Sequence, residues 1–171
     1  MPVGLISRNE QKLAELAESL DVENVAYRPA GLRDAEALSG AITSPADELG
    51  PVQVLEYSPP PAKEFMEPIL ETTVDDVRGP LEFSVLGTVA ATTAVLEPML
   101  ERRSGTILST TGGAAINPYP LRAGVGMSFA GEVAYARMLH DAVSGRGVHV
   151  AHTAIGRPHR TRWRPRAPRG G

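Results

Sequence analysis

Five short apolar runs alternate with stretches whose apolar residues recur at helical spacing. Pro2–Ser7, Asn24–Arg28, Val52–Tyr57, Thr106–Ser109 and Val148–His152 read as strands, apolar or alternating and bounded by turn residues. Between the first two, Leu13, Leu16, Ala17 and Leu20 mark one face of a helix that Ser7 or Asn9 can cap. Ala37, Leu38, Ala41 and Ile42 mark a second helix over Ala35–Ile42, weakened by Gly40. Residues 61–79 have helical character interrupted by Pro68 and the Gly79-Pro80 pair. A long apolar helix is predicted from Leu81 to Arg103, with a kink or restart near Pro98. Gly112–Gly126 reads as loop, and Phe129–Val143 as a last helix stopped at Ser144-Gly145. Strands alternating with helices imply right-handed crossovers, and hence a mostly parallel sheet with helices on both faces. The predicted class is therefore α/β, a doubly wound Rossmann-like sheet.

The 171 residues contain no cysteine, which excludes disulfides, thiolate-bound zinc, iron–sulfur clusters and thiol catalysis together. No His/Asp/Glu cluster has metal spacing. All 20 acidic residues precede Arg157, and six of the 17 basic residues follow Gly156. The chain thus divides into a domain over 1–156 and an Arg/Pro-rich tail over 157–171, read as disordered. The rival reading of the tail is phosphate contact and base stacking by its arginines and Trp163, which would make nucleic acid a partner. The disordered reading is preferred. The start MPVGLISRNE has no basic segment followed by an apolar one, and Val85–Leu96 is too short to cross a bilayer. A soluble cytoplasmic protein is expected, with no membrane partner.

Several stretches together resemble the short-chain dehydrogenase/reductase family. GLISRNEQKLAELAESL is similar to that family's second strand and following helix, and VAYRPAGLRDAEAL to its third strand and the turn after it. PVQVLEYSPPP stands where the family has an Asn-Asn-Ala-Gly strand end. VLGTVAATTAVLEPMLERRSGTILSTTGG resembles its long helix and fifth strand. FAGEVAYARMLHDAVSGRGVHV resembles the helix after its Tyr-x-x-x-Lys motif and the next strand. The likeness covers about residues 3–156. The resemblance implies NAD(P)(H)-linked oxidoreduction, and dimerisation through the helices at 81–103 and 129–143. It also implies that this chain lacks the family's first strand and glycine-rich turn. Loss of a middle strand would leave two inner edges unpaired or force them together. The fragment is then expected to be marginal alone and to associate through its edges.

The family's chemistry does not carry over. Aligned on RGVHV, its catalytic tyrosine falls on Val125 and its lysine on Phe129. Aligned separately on TILSTTGG, its serine falls on Gly112, thirteen residues before Val125, the spacing usual in the family. Its helix asparagine falls on Ser84. Free tyrosine has a pKa of about 10 and needs a neighbouring cation to act as an acid at neutral pH. Neither group is present, and the only lysines are Lys12 and Lys63. Loss of a positioned general acid costs about 10² to 10⁴ in rate. Thr110 and Thr111 read as strand-end hydrogen-bonding residues, Tyr119 as a loop-packing aromatic, and His140 and Asp141 as solvated. No catalytic residue is assigned.

Half of a nucleotide site survives by resemblance. Arg8 stands where the family reads the adenosine ribose, and an arginine there suits a 2′-phosphate, favouring NADP over NAD. Gly31 and Leu32 stand beside the adenine position. Three readings follow: an impaired NADP-linked oxidoreductase, a non-catalytic dimerising subunit or pseudoenzyme, and a decayed gene fragment.

Overall fold

A computed structural model describes residues 2–156. Strand β1 (Val3–Ser7) leads into helix α1 (Glu10–Ser19), which starts where Asn9 accepts the Lys12 backbone N–H at 2.9 Å. Strand β2 (Val25–Pro29) runs parallel to β1. Helix α2 (Ala35–Thr43), capped by Asp34, is followed by a single helical turn, α3 (Ala46–Leu49). Strand β3 (Val54–Tyr57) comes next. Helix α4 (Val74–Leu81), a π-helical turn over Glu82–Leu86 and helix α5 (Gly87–Glu101) form one continuous helix. Strand β4 (Gly105–Gly112), helix α6 (Ala123–Val143) and strand β5 (Val148–Ile155) complete the described chain.

All strand pairs are parallel, but they form two sheets: β1 with β2, and β3, β4 and β5 in that order. The inner edges of β1 and β3 are therefore not paired with each other, the first of the two outcomes expected for a sheet without its middle strand. No residue of β1 is fully buried, and in β3 only Tyr57 is. Helix packing joins the sheets instead. Leu38 and Ile42 of α2 share a core with Ala91, Val95 and Met99 of α5 and with Ile107, Val148 and Val150 of the larger sheet. Ile6 of β1 and Leu32 pack against the same cluster.

Proline and glycine account for the main differences from the sequence reading. Residues 61–79 give only a 3₁₀ turn, Lys63–Phe65, and then α4, which begins at a Thr73–Asp76 capping box. Gly79-Pro80 does not interrupt this helix. Pro80 is buried inside it, at a point where the helix forgoes one N–H bond, and the π turn follows directly. Pro98 does not end α5 either. Helix α6 begins at Ala123, six residues before the expected start, so the loop reading fails for 123–126. Gly124 lies against Pro80, where a Cβ would stand 2.8 Å from the proline Cγ, so this helix start requires a residue without a side chain. The continuous helix Val74–Glu101 has 28 residues and is long and apolar enough by composition to span a bilayer, contrary to the length argument made from Val85–Leu96. Its buried stripe, Thr88, Ala91, Thr92, Val95 and Met99, marks it as a core helix here. The tail 157–171 lies outside the described residues.

Gly147 sets the turn into β5. Its φ is +83°, and a Cβ there would stand 2.1 Å from the Arg103 carbonyl oxygen. Gly147→Ala is expected to lower unfolding free energy by about 2 kcal/mol or more, from strain plus displacement of the 103–104 turn. Chemical denaturation checks this, with Gly145→Ala as the comparison: Gly145 shares the positive φ but meets nothing within 4 Å.

Candidate functional site

The positions aligned with the family's catalytic groups come together, and they form a plug of apolar side chains. Gly112 ends β4, and a Cβ on it would lie 3.3 Å from Cε2 of Phe129. Phe129 and Val125, one turn apart on α6, are 4% and 2% exposed. They share a cluster with Phe65 and Ala114, against which Phe83 and Ala62 pack. Phe65 and Phe83 meet edge to face with ring centroids 5.6 Å apart. Val125 and Phe129 thus make an apolar contact at the end of β4.

Ser84, aligned with the family's helix asparagine, takes part in different chemistry. It lies in the π turn, 1% exposed, and its hydroxyl donates to Oε2 of Glu132 at 3.0 Å. Glu132 is also 1% exposed. Its Oε1 has no partner among the described residues, nor does the Ser109 hydroxyl beside the same carboxylate. Burial pushes the Glu132 carboxyl up to about 7, against the opposing pull of the Ser84 and Ser109 hydroxyls. Tyr57, Ser109 and His152 are in register across β3, β4 and β5, so their side chains form one row on one face of the sheet. Tyr57 donates to the Phe83 carbonyl, the residue before Ser84. Burial holds the Tyr57 hydroxyl above the usual tyrosine range, and the Glu132 charge adds to this. His152 is held below its usual value by burial and then by Arg137, and its Nε2 lies 2.9 Å from Thr111 Oγ1.

Sequence reasoning did not single out Ser109, Glu132 or His152. One signal was available: Glu132 is the lone acid within α6 before Asp141, and it falls three residues after Phe129 on the buried side. Tyr119 is partly exposed, with the Arg122 guanidinium 5.4 Å from its ring centre. His140 and Asp141 are exposed, as expected, although His140 Nδ1 also reaches the Val150 carbonyl at 3.0 Å.

The residues assigned to the nucleotide lie elsewhere. Ser7 and Pro29 are paired at the C-terminal ends of β1 and β2, so Arg8 and Gly31 sit just beyond adjacent strand ends, where ligands bind open α/β sheets. Arg8 is exposed and makes no ion pair with any described residue. A Cβ on Gly31 would meet nothing within 4 Å. Leu32 faces inward, and its carbonyl oxygen lies 3.0 Å from where a Gly87 Cβ would stand. These three residues could bind the adenosine end of a dinucleotide. Among the described residues no group of three or more His, Asp or Glu could hold a metal ion.

A model of the short chain dehydrogenase family matches residues 1–165. The chain belongs to this family. No curated protein matches it. Among solved structures it is similar to the alcohol dehydrogenase of Thermococcus sibiricus complexed with 5-hydroxy-NADP. The TM-score is 0.80 and the identity 18%, covering 91% of this chain and 65% of that one. It is similar to the L-sorbose reductase of Gluconobacter frateurii complexed with NADPH and L-sorbose, with TM-score 0.82 and identity 18%, covering 90% and 59%. It is also similar to the serine dehydrogenase of Escherichia coli, with TM-score 0.79 and identity 24%, covering 91% and 71%. At these identities the likeness shows the fold. The chain spans less than two thirds of the length of the first two proteins.

Gly87 brings α5 close against the sheet in this short-chain dehydrogenase chain. A Cβ there would stand 2.1 Å from the Tyr57 hydroxyl and 3.1 Å from its Cζ. Gly87→Ala is expected to cost about 1–3 kcal/mol in a denaturation titration, because the Tyr57–Phe83 bond must break or α5 must shift. A loss below about 0.5 kcal/mol would show that Tyr57 swings away freely.

Proposed function

We propose that this short-chain dehydrogenase homologue is a non-catalytic member of its family, an oxidoreductase by descent that no longer reduces carbonyls at the inherited site. The plug carries the reading. Val125 and Phe129 stand where the proton donor and its activating cation would be, and both are buried in aromatic contact rather than lining a cavity. A ketone needs proton delivery as hydride arrives, and a valine and a phenylalanine supply neither an acid nor a charge to tune one.

The reading includes a retained hold on the adenosine end of NADP, with Arg8 pairing the 2′-phosphate and the turn at Gly31 and Leu32 beside the base. Neighbours of this fold were solved with 5-hydroxy-NADP, NADPH and NAD+, so the preference for NADP rests on Arg8 alone. It also includes association through the helices at 81–103 and 129–143, on which Leu86 and Met138 are well exposed, and a cytoplasmic location.

NADPH with a panel of ketones tests the first part: no turnover above buffer is expected. Val125→Tyr with Phe129→Lys is expected to stay inactive, and Phe129→Lys alone to lower stability by about 3–5 kcal/mol, because it buries an unpaired ammonium. Turnover by either protein would overturn the reading. Fluorescence titration with NADPH and NADH tests the second part: NADPH is expected to bind the more tightly, and Arg8→Ala to remove that preference.

A further inference from the structure

Glu132 lies where two features of this fold meet. One is the π turn, Glu82–Leu86, held by two bonds: Tyr57 to the Phe83 carbonyl, and Ser84 to Glu132 at 3.0 Å. The other is the plug. Phe83 in that turn and Phe129, three residues before Glu132 on α6, both belong to it. π turns inside α-helices are less regular than their surroundings and frequently mark functional sites.

The Ser84 and Ser109 hydroxyls offset only part of the burial that disfavours a charge on Glu132. The π turn presents Ser84, and α5 continues that buried stripe with Thr88 and Thr92, whose hydroxyls have no partner among the described residues. Strand β3 presents the Tyr57 phenol, held neutral by burial, and β4 presents the Ser109 hydroxyl. Tyr135, further along α6, is likewise raised by burial. Beyond Ser109 in the row, β5 has His152, held below its usual value and bonded to Thr111. No basic side chain pairs with Glu132 among the described residues. A neutral carboxyl accepts from Ser84 and can donate toward Ser109. An ionised one leaves a charge on Oε1 in a site that water does not reach, and such a charge is relieved by hydration.

We propose that Glu132 is a proton-operated latch on the plug: neutral, it holds the 82–86 turn against α6; ionised, it drives the turn off and admits water beside Phe83 and Phe129. The latch stands whether or not the site turns over a substrate, so its failure and that of the functional reading are separate. The sign follows from linkage. The open form has the usual carboxyl value near 4.5 and the closed form a value near 7. Opening therefore grows with pH across that window, by at most about tenfold per pH unit, and is level above it.

Native-state hydrogen exchange on the full chain between pH 5 and pH 8 tests this, with rates corrected for intrinsic base catalysis. Protection of amides 82–86 and 129–133 is expected to fall with pH up to about 7 and then level off. Amides of the β1–β2 ladder are expected to hold steady. In Glu132→Gln, which cannot ionise, the 82–86 profile is expected to be flat. Equal loss of protection in β1–β2 would mean global unfolding, and an unchanged profile in Glu132→Gln would place the titrating group elsewhere; either overturns the latch. Should Glu132→Gln fail to fold, the contrast between 82–86 and β1–β2 in the unaltered chain decides.

Discussion

Helix α6 lies across β4 and β5 and against the continuous α4–α5 helix, and its inward stripe must satisfy three different neighbours. Val125 and Phe129 fill the space beside Gly112 at the end of β4. One turn later Glu132 meets Ser84 and Ser109. Then Ala136 and Val143 enter the main core with Met99, Ile107 and Val150. A single rigid helix thus joins an apolar plug, a buried acid and the principal core. Displacing one of these contacts levers on the others, because interiors are packed too tightly for independent adjustment.

The same dependence explains how two sheets with no ladder between them hold one shape. In an unbroken parallel sheet, hydrogen bonds fix neighbouring strands. Here β1 and β2 pack mainly on α1 and are tied to the larger sheet through α2, whose Leu38 and Ile42 are shared with α5. Apolar packing is non-directional and fixes distance better than register. The facing edges of β1 and β3 are therefore held by helix packing and not by a ladder.

The five strands and most helices were legible because short apolar runs and the 3.6-residue period report burial directly, as at Leu13 and Leu38. The start of α6 was not, because Gly124 and Gly126 read as loop when taken alone. Only the Pro80 ring from another helix, against Gly124, shows why a residue lacking a side chain is needed there; Gly126 lies against Pro118. The plug followed from two alignments within the chain that agreed on Gly112 and Val125. Glu132 escaped both methods. A lone glutamate in a helix reads as a solvated face, and its burial depends on hydroxyls from β4 and the π turn, more than 20 residues away in each case. Pairings of that kind are set by tertiary packing, which local pattern does not encode.

An enzyme can lose its chemistry in two physically different ways. Exchange of a single acid or base leaves the cavity intact, so one reversion restores function. Filling the cavity is harder to reverse, because each contact supports the next. A serine side chain at Gly112 would press on the Phe129 ring, which is itself held by Val125, Ala114 and Phe65. An ammonium at Phe129 would enter that same apolar cluster with no partner among its members. The reacting groups could return together only if the aromatic packing left together. The contact that governs whether it can leave is the one between Ser84 and Glu132, since both flank plug residues on their own elements. In the proposed latch, access to this site follows the proton on the buried Glu132 carboxyl, acting through Ser84, the residue aligned with the family's helix asparagine.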